Sequence, residues 1–287
     1  MNRRLPLPIA LLAALAAPLP ALAQNLANPS QTVASAPDAL RYADLVDLVL
    51  PADLVARAQV RKVARLKPEQ SPGLAAGKVR LYIEARTSAL LAGPDLGESI
   101  RFLADVPLDA RGRPPKLAKT DVLVIGHTVA GRPGELLLSA PDAMLAWSPT
   151  REQALRAILT EKLSPDAPPA VKGVREALHV PGNLAGEGET QVFLATEGAR
   201  PAALSIISRP GQPRTWGVSF SEIVDQSAKP PAPETLAWYR LACFLPQTLP
   251  ARANISDGDT SRAAAADDYA FARAALGTCE RGRTLQP

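Results

Sequence analysis

KVRLYIEARTSA, residues 78–89, alternates without a break: Val79, Leu81, Ile83 and Ala85 fall on one face, and Lys78, Arg80, Tyr82, Glu84 and Arg86 on the other. A period of two sends successive side chains to opposite sides of an extended backbone, so the stretch predicts a strand with one dry face and one wet face. Residues 54–66, just before it, repeat the pattern with Ala56, Ala58, Val60, Ala64 and Leu66 against Arg57, Gln59, Arg61 and Arg65, interrupted at Lys62 and Val63. After it, Ile100, Phe102, Ala104, Val106 and Leu108 alternate again, and residues 109–119 form a Pro- and Gly-bearing connection. Residues 121–127 and 135–139 are then joined through Gly131, Arg132, Pro133 and Gly134, the signature of a hairpin with a longer loop. Five strands are thus expected between residues 54 and 139.

Helical signals bracket this region. Ser35 and Asp38 form a capping box, Pro37 suits a first turn, and Leu40, Leu45, Leu48 and Val49 repeat at helical spacing up to Pro51. Thr150 and Gln153 form a second box, and Ala154, Leu155, Ile158, Leu159 and Leu163 make one apolar stripe, predicting a connecting helix over 149–164. Residues 165–188 read as an extended Pro- and Gly-rich connection. Strands over 190–196, 202–208 and 214–220 follow as a meander. A helix through Trp238, Tyr239, Leu241 and Phe244 stops at Pro246, and an Ala-rich helix runs from about residue 261 to 276 with Gly277 at its end. The fold class is therefore α+β and β-rich: an OB-like five-stranded barrel with an amino-terminal helix across 35–148, and a smaller β-meander with flanking helices across 165–287.

The first residues read as an export signal. Arg3 and Arg4 precede an apolar stretch over 5–17, and Ala21, Leu22 and Ala23 end it, so cleavage near Ala23 is expected. A retained membrane anchor is the competing reading, and Pro6, Pro8, Pro18 and Pro20 argue against it. Residues 24–34 are polar and are expected to be disordered. Without the signal the balance is 30 Lys and Arg against 28 Asp and Glu, which excludes commitment of the whole surface to a polyanion such as nucleic acid. Aromatic residues are 4% of the chain, so the core must be aliphatic. Cys243 and Cys279 are the only cysteines, and a periplasmic or secreted destination would oxidise them to a disulfide.

Two resemblances emerge. The order and alternation of strands over residues 53–147 resemble the five-stranded barrel of OB-type and netrin-like modules. Netrin-like proteins carry a framework of several cysteines that this stretch lacks, so their proteinase-inhibitor activity is not carried over. GEGETQVFL (186–194), PRTWGVSFSEIVD (213–225) and TLAWYRLACFLP (235–246) resemble an uncharacterised family of exported bacterial proteins, which implies an envelope location and names no site.

Candidate chemistry is sparse. His127 and His179 are the only histidines, too few for the usual zinc sets. Asn254, Asp257 and Asp259 around Gly258 echo a calcium loop without its closing Glu, and a helix-capping turn accounts for them better. Ser139 or Ser148 with His127 and Asp142 are the available members of a serine triad, but no Gly-x-Ser-x-Gly elbow is present. Glu187 with Glu189, and Glu222 with Asp225, are the candidate acid pairs for glycoside hydrolysis in a chain poor in aromatic platforms. Gly182 to Gly188 has the glycines of a phosphate loop without the strand and helix around them. Trp147, Trp216 and Trp238 read as core anchors. Arg57, Arg61, Lys62, Arg65 and Lys67, with Arg111, Arg113, Lys116 and Lys119, could form a basic patch for an anionic glycan, a lipid head group or nucleic acid, but alternating strand charges are more often only the wet face of a sheet. The expectation is a non-enzymatic, soluble periplasmic or secreted module that binds an envelope protein or other envelope component, with no catalytic residue, cofactor or metal assigned and no nucleic-acid partner. The alternative is an envelope hydrolase using His127 or His179 with a nearby Ser or carboxylate.

Overall fold

The alternating stretch that opens the reading becomes β2 (Lys78–Ala92), which pairs antiparallel with β1 (Leu54–Arg65) on one side and β3 (Ser99–Pro107) on the other. This computed structural model describes residues 40–221 and 228–283. The expected signal, the polar terminus, the Ser35–Asp38 box and the acids Glu222 and Asp225 lie outside the described residues. The faces fall as the alternation demands: Val79, Leu81, Ile83 and Ala85 are buried opposite Val106, Ala104, Phe102 and Ile100.

With β4 (Asp121–Thr128), β5 (Leu136–Leu138) and β6 (Met144–Ala146), these strands make a six-stranded antiparallel sheet in the order β3-β2-β1-β4-β5, with β6 paired to β4. The sheet is not a closed barrel among the described residues. Its two ends meet at one isolated parallel bridge, Arg101 to Glu135, where the Arg101 N–H donates to the Gly134 carbonyl at 2.7 Å. The helix α1 (Tyr42–Val49) packs against β4, whose Val122, Leu123, Val124 and Ile125 are all buried in succession.

The helix α2 (Pro149–Lys162) starts at the expected residue 149, with its N-cap two residues earlier than the Thr150–Gln153 box suggests. Ser148 is its N-cap, accepting from the Arg151 N–H at 3.2 Å, because the fixed φ of Pro149 suits the first helical position. A larger correction concerns residues 165–188. They contain a full strand, β7 (Val171–Pro181), which pairs antiparallel with β8 (Gly188–Thr196). Two register shifts, at Val171/Gly173 and Val174/Glu176, break its alternation, and Gly173 sits at φ 143. A bulge adds a residue without adding a pair, so a period-two search loses the strand.

Strands β9 (Ala203–Ser208) and β10 (Thr215–Ser219) complete a second, four-stranded antiparallel sheet in the order β10-β9-β8-β7. Residues 228 and 229 pass so close along β10 that a Cβ on Gly217 would collide with the Ala228 carbonyl. The last helix, α4 (Gly258–Leu276), gives Tyr269, Ala272 and Leu276 to an apolar cluster with Val192, Leu204, Ile206 and Trp216 of the sheet. Between the two apolar clusters stands α3 (Leu236–Ala242), which gives Leu236 and Tyr239 to the first and Leu241 and Ala242 to the second. Cys243 at its end is bonded to Cys279 beyond α4. Closing a loop of this length stabilises by about 4 kcal/mol in the chain-entropy treatment.

The segment after Cys279 returns to α1. Asp44 is fully buried and accepts three backbone N–H groups, from Arg41 at 2.8 Å, Gly282 at 2.8 Å and Arg283 at 3.0 Å. Arg281 bonds Asp47 at 2.7 Å, and Arg283 pairs with Asp142. Burial pushes the Asp142 carboxyl up, but the Arg283 hydrogen bond and the charges of Arg283 and Lys78 outweigh that and hold it below its ordinary value. A depressed folded value means that this contribution is complete above the ordinary carboxylate range near pH ~4 and is lost as pH falls through it. Asp44→Ala should orphan three donors and cost about 2–4 kcal/mol in chemical denaturation. In acid titrations followed by thermal melting, Asp142→Asn should lower the midpoint at neutral pH and flatten its decline below pH ~4.

Candidate functional site

Three places hold the residues singled out by sequence. The first is the contact of β7, β8 and α4. His179 and Thr190 are cross-strand partners, and Asp268 projects between them from the helix. Thr190 Oγ1 donates its single hydrogen to Asp268 Oδ2 and lies 2.8 Å from His179 Nδ1, so the imidazole must donate from Nδ1. Arg214 closes the cluster, with Nε 3.3 Å from Asp268 and its guanidinium stacked on Phe271. The His179 backbone N–H donates to Ser256 Oγ at 2.9 Å.

An acid behind a histidine is two thirds of a hydrolytic triad, and the missing third decides the matter. The Nε2 edge of His179 lies against Gly188, where an added Cβ would be 2.8 Å from Nε2. No Ser, Thr or Cys among the described residues bonds to that nitrogen. The cluster braces α4 on the sheet. Asp268, Thr190 and Arg214 were not singled out by sequence. Their one signal is a charged residue on the apolar stripe of α4, beside Tyr269 and between Ala265 and Ala272.

His127 on β4 is half-exposed and lies 3.6 Å from the exposed Asp53. Its candidate partners are engaged elsewhere: Ser139 donates to the Ile125 carbonyl, Ser148 caps α2 and Asp142 holds Arg283. The structure therefore does not assemble that triad. Glu187 accepts the Asn183 and Leu184 N–H groups and shapes the β7–β8 turn, while Glu189 accepts from Gln191. Asn254 and Asp259 turn back on Ser256 and Arg262, and Asp257 is the N-cap residue of α4. Trp147 donates to Glu152 and Trp238 to the Leu276 carbonyl, while Trp216 is buried in the second cluster.

The second place is a cavity of about 560 Å³ on the face of the second sheet away from α4. Leu178, Val180, Phe193 and Ile207 give it an apolar lining, with Gln191 and Arg209 at its side. Neither histidine reaches it.

The third place is the end of the first sheet. Pairing of β1 with β4 stops at Gln59 and Asp121, with Val60 tied to Lys119 and Thr120 by two bonds of 2.9 Å. Residues 61–65 run on past β4, paired only to β2 among the described residues and exposed throughout. The connection after β3 leaves beside Gly77, where the Leu108 N–H donates at 2.8 Å, and returns to Val60. Residues 60–71 and 108–120 therefore share one end of the sheet. Together they carry eight Lys or Arg against Glu69 and Asp109, in a chain whose net charge is +4.

The structure revises the membership of the basic patch. Arg57 belongs elsewhere, 3.5 Å from Glu152 and stacked 4.9 Å over Trp147. Arg113 is held by Asp109 at 2.9 Å, and Lys62 by Glu84 at 3.1 Å. Arg61, Arg65, Lys67, Arg111, Lys116 and Lys119 are exposed and have no ion-pair partner among the described residues.

No protein-family model matches the chain, and no curated protein matches it either. Thr190→Val keeps the volume but removes the donor to buried Asp268. It should destabilise the fold by about 1–3 kcal/mol in urea titration. Circular dichroism should show the secondary structure unchanged.

Proposed function

We propose that this is a non-enzymatic binding protein of the bacterial envelope or exterior, and that the basic end of its first sheet takes an anionic envelope component. One observation carries the reading: eight cations against two acids gather where β1 and β2 outrun β4, while the rest of the chain is slightly acidic on balance. Six of those cations have no partner among the described residues, so their charge is available to a ligand. The hydrolase alternative is weaker, because His179 is spent on Thr190 and Asp268 and its remaining nitrogen faces Gly188.

Export is supported by the basic, apolar and small-residue order of residues 1–23 and by the bonded cysteines. No helix among the described residues is long and apolar enough to cross a membrane. An OB-like roll for the first sheet is supported by the strand order β3-β2-β1-β4-β5 and by the Arg101–Glu135 bridge between its two ends.

Salt elution from an immobilised sulfated polymer tests the site. Arg61→Gln, Arg65→Gln, Arg111→Gln and Lys116→Gln combined should elute at markedly lower salt than Arg132→Gln, Lys172→Gln, Arg200→Gln and Arg252→Gln combined. Both variants lose four charges, so equal elution would show that the basic end is not the binding site.

A further inference from the structure

We infer that the anionic component at the basic end is a lipid surface, not a soluble polymer. This rests on the reading of that end as the binding site and deepens it. Cations alone would serve either ligand, so the choice turns on what accompanies them.

Ala64, Tyr82 and Leu103 are directly paired across β1, β2 and β3, so their side chains stand in one row on one face of the sheet. Leu103 is 44% exposed, Ala64 is exposed and Tyr82 is half-buried. On the opposite face of β1, Val63 is 39% exposed although its partner Ile83 is fully buried. These apolar groups lie within the stretch that carries Arg61 and Arg65, with Lys67 just beyond. The connection that brings Arg111, Lys116 and Lys119 starts at the Pro107 end of β3, four residues after Leu103.

A soluble polyelectrolyte gains nothing from leucine, valine and an aromatic ring in water. An anionic bilayer gains from both parts, since its headgroups attract the cations and its interface accepts aliphatic groups and the amphipathic tyrosine. Attraction near such a surface is worth about 1 kcal/mol per Lys or Arg, so six unpaired cations suffice for reversible attachment without any cavity. Four of the six stand on the part of β1 that outruns β4 or its continuation, Arg61, Arg65 and Lys67, or on the connection beside it, Lys119.

The test is co-sedimentation of the full-length protein with vesicles of phosphatidylcholine containing phosphatidylglycerol, beside vesicles of phosphatidylcholine alone and beside soluble dextran sulfate. Binding should require the anionic lipid and weaken with added salt. The four-cation variant Arg61→Gln, Arg65→Gln, Arg111→Gln and Lys116→Gln should lose at least about a hundredfold in vesicle affinity. Leu103→Ser, at an exposed position that folding does not depend on, should weaken vesicle binding about fivefold and leave dextran sulfate binding unchanged. The matched-charge variant Arg132→Gln, Lys172→Gln, Arg200→Gln and Arg252→Gln should keep most of the affinity. Dextran sulfate binding without vesicle binding would overturn the lipid assignment and leave the basic end standing as a polymer site. Binding to neither would overturn both, and vesicle binding that survives the four-cation variant would place the lipid contact elsewhere.

Discussion

The ladder between β1 and β2 is the constraint on which the rest of the molecule depends. Both strands are long, and β4 covers only the first part of β1. Where β4 is present, Ala56, Ala58 and Val60 are buried and the sheet forms a core with α1 and α2. Where it is absent, β1 runs on with residues 61–65 exposed, while its partners Leu81 and Ile83 on β2 stay buried. One pairing thus creates the dry centre of the first sheet and its exposed, charged end, and the change occurs within a residue of Val60.

The second sheet is secured by a different device. Its apolar face is small, and α4 covers it mainly with Ala272, Tyr269 and Leu276, of which the alanine buries little area. Polar contacts supplement that packing. Asp268 ties the helix to Thr190, His179 and Arg214, and the Tyr269 hydroxyl donates to the Pro246 carbonyl at 2.6 Å. Buried polar groups stabilise only when every partner is present, since an orphaned one costs more than the bond contributed. The two sheets are joined through α3, the Cys243–Cys279 bond and the segment that returns to Asp44, so the second region is anchored to the first at one corner.

Much of this was legible in the residues. Strict alternation exposed β2 and β3, because a strand with one dry face must repeat with period two, and Gly131 to Gly134 marked the turn between β4 and β5. Gly173 and two register shifts hid β7, and β6 has three residues, too few to show any period. The basic cluster was legible as composition but not as geometry. Arg57 and Arg61 stand on the same strand, and only the stopping point of β4 separates the one stacked on Trp147 from the one left in water. Asp268 carried one faint signal, its place on the apolar stripe of α4, which its neighbour Asp267 lacks, but nothing in the sequence shows its partners Thr190 and Arg214.

A strand that runs past its neighbour exposes unpaired backbone, and charged residues along it are a recognised guard against unwanted pairing with another chain. Arg61, Lys62 and Arg65 meet that need by themselves. Guarding does not account for Arg111, Lys116 and Lys119, which lie on a connection with no strand edge to protect. Nor does it account for Leu103 and Val63, whose exposed apolar surface works against a guard by inviting association. The excess of cation over what the edge requires, set beside apolar groups that a purely defensive edge would avoid, is accounted for by the proposed recognition surface and not by negative protection of the edge alone.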